Sequence, residues 1–170
     1  DPSTWTVSST AWADDWQGFS SDNTGSNTWA VVDLGSATAA LDTMYLWNVQ
    51  ETNALDRGTS IFDIYHATSP TTTAPAASGT VTPYDFGSGG WTQLSAGNTL
   101  AIGTQGGDAG ESFDISGASG AQYIGLHLTA NHGGFRTGLG EIAITTSEVP
   151  EPSSLGLLLI GSIFALRRRR

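Results

Sequence analysis

Alternation of apolar and polar residues at every second position is the pattern that most constrains this chain. Phe62 and Ile64 alternate with Asp63 and Tyr65, as they do in a half-buried β-strand. No stretch before residue 155 sustains the 3.6-residue period of an amphipathic helix. Further strand-like runs lie at 29–35, 41–49, 91–94, 99–102, 112–115, 123–128 and 141–145. About eight short strands separated by glycine-rich turns predict an all-β fold, a β-sandwich.

The domain organisation follows from length and from the position of the turn-rich stretches. The chain has 170 residues, which predicts one sandwich domain over 1–147 and a separate tail over 148–170. Residues 20–28 and 68–90 predict surface loops, the second of them long and rich in Pro, Thr, Ala and Gly. The chain starts at Asp1 without a methionine or a hydrophobic leader, so we expect a mature or truncated N-terminus.

Charge excludes two classes of partner. The sequence has no lysine, and before the four arginines at 167–170 its basic residues are Arg57 and Arg136, against 16 acidic residues in the whole chain. The formal net charge is −10. This balance argues against nucleic-acid binding and against binding to anionic membrane surfaces. Cysteine is absent, so disulfides and thiolate chemistry are excluded as well.

The last residues form a three-part signal. The sequence Val149-Pro150-Glu151-Pro152 is followed by an uncharged apolar run at 155–166 and then by the four arginines. This arrangement resembles the PEP-CTERM sorting signal of bacteria. The resemblance implies export, transient insertion in the inner membrane through a short apolar helix, cleavage by an exosortase-type transpeptidase and release to the cell surface or matrix. An ordinary C-terminal anchor or a frayed end is the alternative interpretation.

A second resemblance lies in the body of the chain, at about 29–145. The sequence is similar to the discoidin / coagulation-factor type C group in motifs that occur in the same order. These motifs are Trp29-x3-Asp33-Leu34-Gly35, Leu46-Trp47-Asn48, Asp56-Arg57-Gly58 before Phe62-Asp63-Ile64-Tyr65, Tyr123-Ile124-x-Leu126, Asn131-His132-Gly133-Gly134 and Gly138-Leu139-Gly140-Glu141-Ile142. The resemblance implies a galactose-binding-like jelly roll, a fold used mostly to bind glycans or lipids. The segment before Trp29 and the stretch 68–90 depart from the family pattern.

The same resemblance implies one structural calcium ion. In the family the ion lies between an early loop and a glutamate at the start of the last strand. Glu141 matches that glutamate, and Asp22, Asn23 and Thr28 are the nearest match to the early loop. Calcium takes six to eight oxygen ligands, which residues of these types supply.

Aromatic residues are the candidates for contact with sugar rings. The candidate platforms are Trp12, Trp16, Tyr84, Phe86, Trp91 and Phe135. Tyr84 and Phe86 are favoured because they lie in a Gly/Pro-rich stretch, where we expect exposure. Trp29, Trp47 and Trp91 lie in strand-like runs and are expected in the core or on a sheet face.

No pattern in the sequence favours catalysis. His66, His127 and His132 have no metal-ligand spacing, and His132 matches a turn position of the family. Asp14 and Asp15 are adjacent, but only that proximity suggests an acid/base pair. For Arg57 we expect a structural ion pair or a role in the turn, with contact to a ligand as the alternative.

We therefore expect a non-enzyme, an exported module that binds extracellular polysaccharide or another envelope glycan. The alternatives are a structural matrix protein without a small ligand, and an accessory domain of a larger enzyme.

Overall fold

The structure is a computed structural model, and it describes residues 1–7, 10–11, 14–19, 28–38, 40–72 and 83–147. In chain order its strands are β1 (Thr6–Val7), β2 (Trp16–Phe19), β3 (Thr28–Asp33), β4 (Leu41–Trp47), β5 (Thr59–Ala67), β6 (Thr92–Thr99), β7 (Asp108–Ala109), β8 (Glu111–Asp114), β9 (Tyr123–Asn131), β10 (Arg136–Leu139) and β11 (Glu141–Thr146). The 3-10 turns that lie wholly within the described residues are Pro2–Thr4, Leu55–Arg57 and Ser116–Ala118.

Two antiparallel sheets form the sandwich. The larger has the strand order β3-β9-β5-β6 and the smaller the order β11-β4-β8. Phe62 of β5 lies opposite Leu128 of β9, and Met44 of β4 lies opposite Phe113 of β8. Because side chains alternate along a strand, these registers gather the apolar residues on one face of each sheet.

The main core lies between those two faces. Phe62 and Phe113 pack edge to face across the sandwich, with ring centroids 5.0 Å apart. Burial of each large apolar side chain contributes about 1.5–3 kcal/mol. The buried members of this core are Leu41, Met44, Leu46, Phe62, Ile64, Leu100, Ile115, Ala118, Ala121, Ile124, Leu126, Leu128 and Leu139.

A second apolar cluster covers the outer face of the larger sheet. Tyr84, Phe86 and Trp91 pack there against Ala67 and the partly buried Trp29, with further contacts from strands β3, β5 and β9. The Trp91 indole N–H donates to the Tyr84 hydroxyl at 3.2 Å. The exposure expected for Tyr84 and Phe86 is therefore wrong, because both are less than one-tenth exposed. The two residues lie in a turn-rich stretch, but they are buried because they pack against an apolar sheet face.

Strand boundaries depart from the sequence prediction at several places. One continuous strand, β6, replaces the two predicted at 91–94 and 99–102, and Leu100 follows it as a buried residue. Strands β2 and β10 were not predicted, because each has four residues and an internal glycine that weakens the strand pattern.

The all-β sandwich prediction is confirmed for the described residues, and Trp47 is a core residue as expected. Of the loop predicted at 20–28, the described residue Thr28 instead begins β3. Residues 20–27 and the predicted C-terminal helix lie outside the described residues. Among the described residues, no helix reaches the length and apolar character needed to cross a membrane.

Candidate functional site

A two-stranded ribbon of β2 and β10 carries the candidate site. Trp16 lies opposite Leu139, and Arg136 lies opposite Phe19. The buried Thr59 hydroxyl donates to the Gly138 carbonyl at 2.9 Å and so ties the ribbon to the larger sheet. A Cβ atom at position 138 would lie 2.3 Å from the Trp16 carbonyl oxygen. The two strands therefore approach this closely only because residue 138 is glycine.

Alternation along β2 gives the ribbon two different sides. Gly18 faces Thr28 of β3, since a Cβ atom at position 18 would lie 2.5 Å from the Thr28 methyl carbon. Trp16, two residues earlier, shares that inner side, and Gln17 lies on the outer side. We call the outer surface the ribbon face and define it by Gln17, Glu51, Arg57, Phe135 and Arg136.

A hydrogen-bonded network fixes three side chains of the ribbon face. The Glu51 carboxylate accepts from the Gln17 amide at 2.8 Å and from the Arg57 guanidinium at 2.9 Å. Arg57 also donates to the side-chain amide oxygen Oε1 of Gln17 at 3.5 Å. The ion pair expected for Arg57 is present, and its two side chains are each less than one-fifth exposed. The network holds donors and acceptors in fixed positions at the surface.

The two arginines of the body converge on one aromatic ring. The guanidinium carbons of Arg57 and Arg136 lie 4.5 and 5.4 Å from the centroid of the Phe135 ring. Phe135 is 49% exposed. The backbone at Gly134 passes close to the backbone of Arg57. A Cβ atom at position 134 would lie 2.8 Å from the Arg57 backbone nitrogen, so this arrangement requires glycine there. Residues 79 positions apart in sequence thus form a single cation–aromatic group.

Asp15 supports the loop that carries Glu51. Its carboxylate accepts the backbone N–H of Glu51 at 3.1 Å. Burial raises the pKa of the Asp15 carboxyl above its usual range, and hydrogen bonds from the backbone of Gln50 and Glu51 offset only part of that rise. The Asp15 carboxylate therefore stabilises the loop that carries Glu51, although burial of its charge costs solvation free energy.

The inner side of the ribbon borders a cavity. Trp16 is 43% exposed and lines it together with the exposed Glu141. Trp16 and Phe135, two of the predicted sugar platforms, are both exposed but lie on different sides of the ribbon. Trp12, another candidate platform, lies outside the described residues.

The predicted calcium ligands are only partly described. Thr28 is 2% exposed, and its hydroxyl has no hydrogen-bond partner among the described residues. Glu141 is exposed at the start of β11, and Asp22 and Asn23 lie outside the described residues. In the described part of the chain, no three His, Asp or Glu residues are placed to hold a metal ion. The buried Thr28 hydroxyl is an oxygen of the type that a calcium ion binds and has no described partner.

The other predicted sites are dispersed. Tyr84 and Phe86 pack on the outer face of the larger sheet rather than on the ribbon. The ring Nε2 of His132 lies 3.0 Å from the Leu100 carbonyl oxygen. The His132 backbone N–H donates to the Gly58 carbonyl oxygen, as expected for a turn residue. Burial lowers the pKa of His66.

Gln17, Glu51 and Arg136 were missed as site residues by the sequence analysis. Arg136 carried one usable signal, since it is one of two cations before the tail. Gln17 and Glu51 carried none, because only the pairing of β2 with β10 brings them to Arg57.

Comparison with known proteins identifies the tail. Residues 148–170 match the family model described as PEP-CTERM protein-sorting motif. The predicted sorting signal is thereby confirmed, and it indicates an exported protein that is processed by an exosortase. The motif residues Val149, Pro150, Glu151 and Pro152 belong to this match and lie outside the described residues.

Solved structures give weaker likenesses for the body. The SusE-like protein BT2857 is 13% identical, with 84% of this chain and 67% of that chain covered and a TM-score of 0.44. The lectin domain of lectinolysin complexed with Lewis B antigen is 18% identical, with 85% and 93% covered and a TM-score of 0.40. No curated protein sequence matches the chain. Both TM-scores lie below 0.5, so neither likeness supports a conclusion about function.

Proposed function

We propose that the chain is a non-catalytic module of the cell surface or matrix, whose ribbon face binds an extracellular polysaccharide or another envelope glycan. Sugar hydroxyls donate and accept hydrogen bonds, and sugar rings present apolar C–H faces. A sugar site therefore needs fixed polar groups beside an exposed aromatic ring. The convergence of Arg57 and Arg136 on the exposed Phe135, beside the Gln17–Glu51 network, is the observation that supports this proposal.

The proposal of non-catalytic action is supported by the hydrogen bonds that Glu51 of the ribbon face and the neighbouring Asp15 already make. Glu51 accepts two side-chain hydrogen bonds, and Asp15 accepts a backbone N–H. Both carboxylates therefore have structural roles in the described residues, and no substrate contact is needed to account for them. Incubation with the bound polysaccharide should release no reducing ends. Release of reducing ends would instead support an enzyme.

The glycan proposal is tested with the purified 170-residue chain. Arg57→Ala and Gln17→Ala should each weaken binding to an immobilised polysaccharide about tenfold, because each removes fixed hydrogen bonds to the sugar. Gln93→Ala, on the exposed part of β6, is the matched control and should bind as the wild type does. Wild-type binding by both ribbon-face variants would remove the ribbon face as the site. Absence of binding to every polysaccharide on an array would favour the structural matrix protein.

We also propose a structural calcium ion held by Glu141 and Thr28, with Asp22 and Asn23 as further ligands. The buried, unpartnered Thr28 hydroxyl supports this proposal. The ion would neutralise part of the acidic charge. A ligand bound only by the folded chain, at a hundred times its dissociation constant, stabilises that chain by about 2.7 kcal/mol.

Thermal unfolding tests the calcium proposal. Calcium should raise the Tm by several degrees more than magnesium at equal ionic strength, because magnesium loses its water ligands reluctantly. Glu141→Gln and Thr28→Val should each remove most of that difference. Equal Tm shifts with the two metals, or a full calcium response in both variants, would show that the ions act only by screening charge.

A further inference from the structure

The sandwich has two ends, and the ribbon face lies at one of them. Strand β9 ends at Asn131, close to Thr59, the first residue of β5, with which it pairs. The Asn48 side chain, just after β4, donates to the Thr59 carbonyl oxygen at 2.8 Å. Gly58, which follows Arg57 directly, forms a bridge with Gly138 of the ribbon. We call this the site end and define it by Asn48, Thr59, Asn131 and Gly138.

The sorting signal leaves the body at the opposite end. Thr146, the last residue of β11, lies opposite Leu41, the first residue of β4. Ser147 donates its N–H to the Ala40 carbonyl oxygen at 2.9 Å. The Ser119 hydroxyl, shortly before β9 begins, donates to the Leu41 carbonyl oxygen at 3.5 Å. We call this the tail end and define it by Ala40, Leu41, Ser119 and Ser147.

The tail is too short to bring the site end to a membrane. Strand β9 runs from one end to the other and has nine residues, so the sandwich is about 27 Å long without its turns. Seven residues, 148–154, separate Ser147 from the apolar run at 155–166. Even at full extension, a segment of that length spans at most about 25 Å. When the apolar run is in the membrane, the tail end therefore faces the membrane.

The large apolar side chains that the described residues expose also lie towards the site end. Trp5 stacks on Trp47, the last residue of β4. Ile61 is the third residue of β5, which begins at the site end. Trp16 and Phe135 belong to the ribbon and to the turn before it. The full set is Trp5, Trp16, Ile61, Ile102 and Phe135.

The tail end exposes acidic side chains instead. Asp33 lies opposite Tyr123, the first residue of β9, and Asp114 lies opposite Thr43. Asp42 follows Leu41 and is exposed as well. Carboxylates gain nothing from the anionic headgroups of a membrane surface. The tail-end surface therefore does not bind lipid by itself, and the tail sets its distance from the membrane.

We infer that the membrane-anchored form presents the ribbon face away from the membrane and binds glycan before the sorting signal is removed. The tail end faces the lipid headgroups, and the glycan approaches the site end from outside. Removal of the tail is then not needed to open the site, and it changes only whether bound glycan stays at the membrane. This inference rests on the proposed function, because it needs a glycan on the ribbon face.

Energy transfer to the membrane tests the orientation without any glycan. The chain has no cysteine, so a single introduced cysteine takes a fluorescent donor label. Ser36→Cys places the label in the exposed turn after β3, at the tail end. Ile102→Cys places it at the site end, where the neighbouring Ala101 carbonyl oxygen accepts from the Asn48 amide at 2.7 Å.

Each labelled full chain, with the Tm of the wild type, is bound to vesicles of phosphatidylcholine and phosphatidylglycerol that carry an acceptor dye on their headgroups. Transfer from the Ser36 label should exceed transfer from the Ile102 label at least about twofold, because about 27 Å separates the two ends. Equal transfer, or greater transfer from the Ile102 label, would overturn the inference.

Glycan binding is then compared between the full chain on vesicles and the full chain in detergent. Labelled dextran, mannan, galactan and alginate are the probes, and Arg57→Ala should lose binding in both settings. Dissociation constants for the same probe should agree within about twofold, because the ribbon face is open in both. A loss of about tenfold on vesicles alone would overturn the inference and leave the proposed function intact. If neither form binds any polysaccharide, the proposed function fails, and the inference fails with it.

Discussion

At the scale of single residues, the second apolar cluster packs on the larger sheet only because position 125 is a glycine. Gly125 of β9 lies beneath the second apolar cluster. A Cβ atom there would lie 2.3 Å from Phe86 and 3.0 Å from Trp91. Because both neighbours are buried rings, neither can move aside without losing its own contacts.

Gly125→Ala should therefore destabilise the protein by about 1–3 kcal/mol, the usual cost of overpacking. Gly87→Ala is the matched control in the segment above it. The Cβ atom it adds meets only the Asp85 carboxylate oxygen at 3.3 Å. Chemical unfolding with each variant measures the difference. Equal stability of the two variants would mean that the Phe86 ring is not seated on the sheet.

Asp15 gives a residue-scale prediction about pH. Its folded-state pKa is raised, chiefly by burial, so the folded chain holds this proton more tightly than the unfolded chain does. The stability that comes from the protonated carboxyl is complete below the unfolded pKa and is lost as pH rises through the folded pKa. Asp15→Asn keeps an acceptor oxygen without the charge.

The variant should therefore be more stable than wild type at pH 7, and this advantage should shrink towards pH 3.5. Thermal unfolding of both proteins across that pH range is the measurement. A stability difference that stays constant with pH would assign the effect of the substitution to hydrogen bonding rather than to charge.

At the scale of elements, the segment from Tyr84 to Trp91 is a part of the fold rather than a ligand loop. Phe86 stacks on Tyr65 with ring centroids 4.7 Å apart and meets Trp91 edge to face at 5.1 Å. Asp85 ends the turn by accepting the Gly87 N–H at 2.8 Å. The same element therefore closes the outer face of the larger sheet.

Phe86→Ala should cost about 3–5 kcal/mol, as truncation of a buried aromatic residue does. Phe135→Ala should cost less, about 1 kcal/mol, since about half of this ring is exposed and less apolar surface is lost from burial. Glycan binding should show the reverse order, with a loss in the Phe135 variant and retention in folded Phe86→Ala protein. Loss of binding without loss of stability in Phe86→Ala would restore Phe86 as a sugar platform.

At the scale of the whole molecule, we expect the sandwich and the sorting signal to be separate units. The buried residues of both apolar clusters lie between positions 41 and 139. The last described residue, Ser147, donates its N–H to the Ala40 carbonyl and so closes the sandwich before the motif begins.

Deletion of 148–170 should leave the Tm of the body unchanged and should abolish surface delivery. Thermal unfolding and cell fractionation measure the two effects, and replacement of the four tail arginines by serine is a milder second variant. A truncated body that fails to fold would show that the tail contributes to the core.

The sequence by itself determined the fold class and the sorting signal, because both depend on local order. Alternation marks which residues of a strand face the core, and it holds for Phe62 and Ile64 of β5 and for Ile124, Leu126 and Leu128 of β9. The motif, the apolar run and the basic end lie next to one another and need no fold to be recognised.

Only the tertiary structure decided which side chains form a site. Arg57 and Arg136 reach Phe135 because β10 pairs with β2 near the turn that holds Arg57, and that pairing depends on the close approach at Gly138. Tyr84 and Phe86 had the composition of a loop around them, yet burial was decided by an apolar sheet face elsewhere in the chain. Contacts between residues far apart in sequence leave no local pattern, so the ribbon face and the cavity could not be predicted from the sequence.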